Sequence, residues 1–156
     1  MDRHYGSKYA TMGDKYLPAA DIAKLMRADI KKMIADGTLP GTAKNYRVRV
    51  HNYAGGRSIN ITAVGLPDMW QDCTGIIPGS EDGYSARACR DVWCAGLDLP
   101  EYRHAAHAHK TLTVDGQRVE RVLGDIHRAY NYDGSDVMTD YFDVNYYGSA
   151  QVERED

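Results

Sequence analysis

The chain has 156 residues, 43% of them hydrophobic and 26% charged, which is room for one ordinary core and too little for two full domains. A formal charge of -3 is too small to name a partner. No apolar run approaches the roughly 18 residues of a membrane span, Met1–Gly6 lacks a basic-then-apolar leader, and three cysteines are an odd number for a secreted disulfide framework. A cytosolic protein that binds no membrane is expected.

Residues 1–15 carry Gly6, Ser7 and Gly13 without apolar periodicity and read as a loose arm. Pro18 suits a first helical turn, and Ile22, Leu25, Met26, Ile30, Met33 and Ile34 recur at helical spacing up to Gly37. Beyond the turn-rich Thr38–Thr42 the period changes from 3.6 to 2. Tyr46, Val48 and Val50 then alternate with Arg47, Arg49 and His51. Asn52–Gly56 supplies turn residues, and Ile59, Ile61 and Ala63 alternate with Ser58, Asn60 and Thr62, which predicts a hairpin. Residues 65–110, with Pro67, Pro78, Pro100 and five glycines, read as an irregular insertion that Trp70 and Trp93 anchor, with a short helix near Ser85–Cys94. Val119, Val122, Leu123, Ile126, Ala129 and Tyr130 mark a second amphipathic helix after the turn Asp115–Gly116. A last strand over Tyr141–Tyr147 has Phe142, Val144 and Tyr146 on one face and Tyr141, Asp143, Asn145 and Tyr147 on the other; 149–156 reads as a frayed tail.

The expected fold is therefore α+β, in α-β-β-α-β order. A small antiparallel sheet is covered on one face by two helices, in a single domain over 16–148 with the 65–110 lobe inserted. The other sheet face is left open. It carries the candidate binding residues Arg47, Arg49, His51, Tyr53, Arg57, Tyr141, Asp143, Asn145 and Tyr147.

Three stretches resemble a known family: Lys15-Tyr-Leu with the Ile-Ala-Lys-Leu-Met-Arg helix, Arg49-Val-His-Asn-Tyr-Ala-Gly-Gly-Arg-Ser-Ile-Asn-Ile61, and Asn131-Tyr-Asp-Gly-Ser-Asp136 leading to Thr139-Asp-Tyr-Phe-Asp-Val-Asn-Tyr-Tyr147. Together they are similar to the large polyvalent protein associated domains of bacteriophages and other mobile elements. The resemblance covers about residues 15–65 and 115–148, and the middle lobe departs from it. It implies a phage or plasmid origin and an accessory role in the infected cell, hence the host cytosol, and it brings no catalytic residues to transfer.

Chemistry is sparse. Cys73, Cys89, Cys94, His104, His107 and His109 have zinc-ligating side chains, but no Cys-x2-Cys knuckle brings them together, so buried thiols and solvated imidazoles are expected, with no metal and no cofactor. No nucleophile elbow, phosphate-cradling glycine loop or His-Glu-x-x-His helix is present, and Gly55-Gly56 joins two strands without opening a helix. A non-enzymatic protein is expected. Charge is uneven: from Asp133 onward seven acidic residues meet only Arg154, against 18 basic and 15 acidic residues before it. Arginines beside tyrosines suit nucleic-acid stacking, with Asp143 opposing phosphate and able to pair with Arg47 or Arg49 across strands. Twelve tyrosines fit a protein contact better, because the ring buries much area at small entropic cost. A host protein is the expected partner and nucleic acid the alternative.

Overall fold

A computed structural model describes residues 4–9, 17–73, 76–79, 85–89, 110–133 and 145–154. The fold is α+β and divides into two compact units, residues 1–64 with 121–153 and residues 65–120 with 154–156.

The first unit begins with strand β1 (His4–Tyr5), followed by helix α1 (Ala19–Ala35), strand β2 (Tyr46–Tyr53) and strand β3 (Gly56–Ala63). Pro18 caps α1 from outside its first turn, and Gly37, at φ +84°, takes the left-handed conformation that ends it. Ala19, Ile22, Ala23, Met26 and Ile30 form its buried stripe, whereas Leu25 is exposed. β2 and β3 pair antiparallel without a bulge over eight positions, from Tyr46 opposite Ala63 to Tyr53 opposite Gly56. The hairpin closes through Ala54 and Gly55, whose φ of +91° a type II turn requires at its second central position. Alternation works as expected: Ile59, Ile61 and Ala63 are fully buried on the face that meets α1.

The second unit contains β4 (Trp70–Asp72), β5 (Ile76–Ile77), β6 (Arg87–Ala88) and β7 (Lys110–Leu112), paired antiparallel as β4 with β7 and β5 with β6. The helix expected near Ser85 is absent among the described residues, which are extended at Arg87–Ala88; residues 90–94 lie outside them. Cys73 and Cys89 are buried together against Ile77. Helix α2 (Val114–Ala129) starts in this unit. Asp115 and Gly116, expected as a turn before it, are its second and third residues, because Thr113 Oγ1 accepts from Gly116 N at 3.0 Å in the manner of an N-cap.

The end of α2 belongs to the first unit, where Leu123, Ile126, Ala129 and Tyr130 are buried. β8 (Tyr132–Asp133) follows and pairs with β1. The N-terminal arm is thus tied down where 4–9 are described, contrary to the expected loose segment. Gly6 N donates to Asn131 O at 2.7 Å, Lys8 N to Ala129 O at 2.7 Å, and Lys8 Nζ meets Asp29 Oδ1 at 2.9 Å.

The third strand of the main sheet is β9 (Ala150–Val152), in the segment expected to fray. It runs parallel to β3, giving the order β2-β3-β9 and a mixed sheet where an antiparallel one was expected. Connectivity explains the direction: a helix-containing crossover separates β3 from β9, which is the kind of connection parallel neighbours need. Val152 is buried beside Ala63, and Ile61 N donates to Ser149 O and Glu153 N to Ala63 O at 2.9 and 2.7 Å.

Candidate functional site: the open face of the sheet

Parity across the three strands fixes what the open face carries. Pairing places His51 opposite Ser58, Arg49 opposite Asn60 and Arg47 opposite Thr62, while Ser58 faces Tyr147 and Thr62 faces Gln151. The face therefore has three rows, His51–Ser58–Tyr147, Arg49–Asn60 and Arg47–Thr62–Gln151, with strands about 4.8 Å apart and rows about 6.8 Å apart. One end is aromatic. Tyr147 and Tyr53 are 40% and 43% exposed, and the rings of His51 and Tyr53 stack with centroids 5.7 Å apart. Tyr53 also covers Gly56, where a Cβ would lie 3.1 Å from the ring. The basic end is formed by Arg47 and Arg49, both exposed and without an ion-pair partner among the described residues.

Two expected members of the face are elsewhere. Arg57 is only 5% exposed, on the inner side with Ile59 and Ile61, because its odd position shares their parity. Its Nε donates to Asn145 O at 2.9 Å, its Nη2 to Asn145 Oδ1 at 2.6 Å and its Nη1 to Leu17 O. Asn145 is the second correction. It is 8% exposed, and its Nδ2 donates to Tyr130 O at 3.0 Å. The expected strand alternation fails here because Asn145 and Tyr146 are both buried, one held by Arg57 and the other by Asn131, whose side chain exchanges bonds with the Tyr146 backbone. Tyr141 and Asp143, and with Asp143 the expected cross-strand ion pair, lie outside the described residues, as do Cys94, His104, His107 and His109.

Behind the face, Tyr146 Oη donates to His127 O, the two rings meet edge to face at 5.2 Å, and His127 Nε2 donates to Ile59 O at 2.7 Å. Burial holds the His127 imidazole below its ordinary pKa; the bond to Ile59 opposes that shift and nearby Arg128 adds to it. Burial likewise pushes the Tyr146 phenol up. These groups hold the frame and face inward. Gln151, which sequence reasoning placed in the tail, joins the face through β9; its only signal was the alternation of Ala150, Gln151 and Val152.

No family model matches the chain, and comparison with curated proteins and with solved structures finds no match. No helix among the described residues is long and apolar enough to cross a membrane.

Proposed function

We propose that this chain is a non-enzymatic binding module that contacts another protein through the open face of its three-stranded sheet. In keeping with the mobile-element resemblance, the partner is a host protein and the setting the cytosol of the infected cell. The observation that carries the reading is the combination of two exposed tyrosines with two arginines that no acid neutralises among the described residues, on one uncovered face. Such rings and guanidinium groups dominate protein contacts.

A nucleic acid is the competing partner, favoured by the same arginines. Two features weigh against it: His51 already covers one side of the Tyr53 ring, and two cations are few for following a phosphate backbone on a chain of net charge -3. The deciding experiment is paired. Affinity capture from host lysate is compared between the wild type and a Tyr53→Ala/Tyr147→Ala variant, and retention on single-stranded nucleic acid at low salt between the wild type and an Arg47→Ala/Arg49→Ala variant. A protein captured by the wild type and lost with the tyrosines supports the reading. Retention on nucleic acid that vanishes with the arginines and falls steeply with salt overturns it.

A further inference from the structure

The outer edge of β2 adds a second kind of contact. β2 is an edge strand of eight residues whose one-to-one pairing with β3 contains neither bulge nor proline. Hydrogen-bonding parity follows from the hairpin. β3 turns its 57, 59, 61 and 63 backbone groups toward the third strand, as Tyr147 N to Arg57 O and Ile59 N to Tyr147 O show, so 56, 58, 60 and 62 face β2 and take up 53, 51, 49 and 47. The groups of Tyr46, Val48, Val50 and Asn52 therefore point outward. Among the described residues two of them are occupied, Tyr46 N by Ala43 O and Val48 O by Arg27 Nη2 at 2.7 Å. The edge from Val50 N to Asn52 meets no other strand among the described residues.

Beside that edge the open-face side chains of β2 are Arg47, Arg49 and His51, all exposed and about 6.8 Å apart along the strand. That is the repeat of alternate side chains on a neighbouring strand. Edge arginines oppose pairing with a second copy, because an antiparallel β2–β2 pair centred on Val48 sets Arg47 against Arg49, and one centred on Arg49 sets that residue against itself. The same column favours an incoming strand with carboxylates at every second position. We propose that the β2 edge accepts an extended acidic segment of the partner protein as a fourth strand, its backbone bonding to Val50 and Asn52, beyond the Arg27 contact, and its carboxylates lying over Arg49 and beside Arg47. This rests on the reading of the open face as a protein-binding surface.

The probe is a capped synthetic peptide, Thr-Asp-Val-Asp-Val-Asp-Thr, with the lysine-for-aspartate peptide and a version N-methylated at alternate amides as controls. The full chain should bind the acidic peptide, bind it about tenfold more weakly as Arg49→Glu at low salt, and not bind either control. Hydrogen exchange at Val50 and Asn52 should slow on binding. Binding that needs Arg49 yet leaves those amides unprotected, or that survives N-methylation, overturns strand addition. Absence of acidic-peptide binding also overturns it, while the host-protein reading is judged separately by whether Tyr53→Ala/Tyr147→Ala loses the captured protein.

Discussion

Arg57→Ala tests whether this arginine holds the frame or touches a ligand. The side chain satisfies three carbonyl oxygens, Asn145 O, Asn145 Oδ1 and Leu17 O, from a position 5% exposed. A buried acceptor stripped of its donor costs about 1–3 kcal/mol, and water entering the vacated volume recovers part of that, so the net loss is expected at about 3–5 kcal/mol. Domain stabilities are about 5–15 kcal/mol, so a large fraction of the total is at stake. The midpoint of thermal unfolding should fall by about 10 °C, at about 2–4 °C per kcal/mol for a chain of this length. Urea unfolding followed by far-ultraviolet circular dichroism measures the loss. Amide exchange locates it, since releasing Asn145 loosens the 147–149 segment and should speed exchange at Ile59 and Ile61, which donate to Tyr147 O and Ser149 O. Arg57→Lys keeps the charge without the planar fork and should recover only part of the stability. A change in stability below about 0.5 kcal/mol together with lost partner binding would refute the reasoning and return Arg57 to the contact surface.

Three further outcomes follow from the packing. Gly148→Ala should destabilise the first unit by at least about 2 kcal/mol, read by urea unfolding, because its φ is +121° and a Cβ would lie 2.0 Å from Ile59 O. Gly116→Ala, a change that stabilises an exposed helix interior by about 1 kcal/mol, should instead destabilise, since a Cβ would lie 2.2 Å from Met69 O; tryptophan fluorescence during unfolding reports the sign. His127 has its folded pKa below the ordinary 6.5, so below about pH 6.5 the unfolded chain binds the proton first. Its contribution is complete above that pH and declines as pH falls toward the folded pKa, at up to about 1.4 kcal/mol per pH unit. His127→Gln, which keeps a donor for Ile59 O, should flatten the acid side of the stability profile.

Periodicity was a sound guide where one face of an element is buried and the other wet. It placed α1 within two residues and the β2–β3 hairpin to within two residues at its turn, where Asn52, Tyr53 and Gly56 belong to the strands, with Arg47, Arg49 and His51 on the exposed side. Even the Arg57 position was readable, since it shares parity with Ile59, but the side chain's charge argued for solvent. Its burial depends on Asn145 and Leu17, 88 and 40 residues away in sequence, and no local pattern encodes such partners. The same distance hides β9. Three residues that gain their place only by pairing with Ile61–Ala63 carry too little propensity to stand out from a polar tail. The N-terminal arm follows this rule, as backbone bonds to Ala129 and Asn131 fix it without any apolar repeat.

The two sides of the sheet divide the energetic roles. On the inner side, Arg57 fixes Asn145, Asn131 fixes the Tyr146 backbone, and Gly148 lets the chain pass close to Ile59, which together set the register of Tyr147 and Gln151. On the outer side, Arg47 and Arg49 make no ion pair among the described residues, and exposed pairs are worth only about 0–1 kcal/mol in any case. Ion pairing therefore gives little reason for the two arginines to share that face, and replacing them should change unfolding by no more than about 0.5 kcal/mol, while replacing the tyrosines, which forfeits the His51 stack, should cost about 1 kcal/mol. Loss of partner capture by these variants with changes in stability no larger than these would place their role in recognition; a loss of stability comparable to that of Arg57→Ala would make them part of the frame and remove the contact surface.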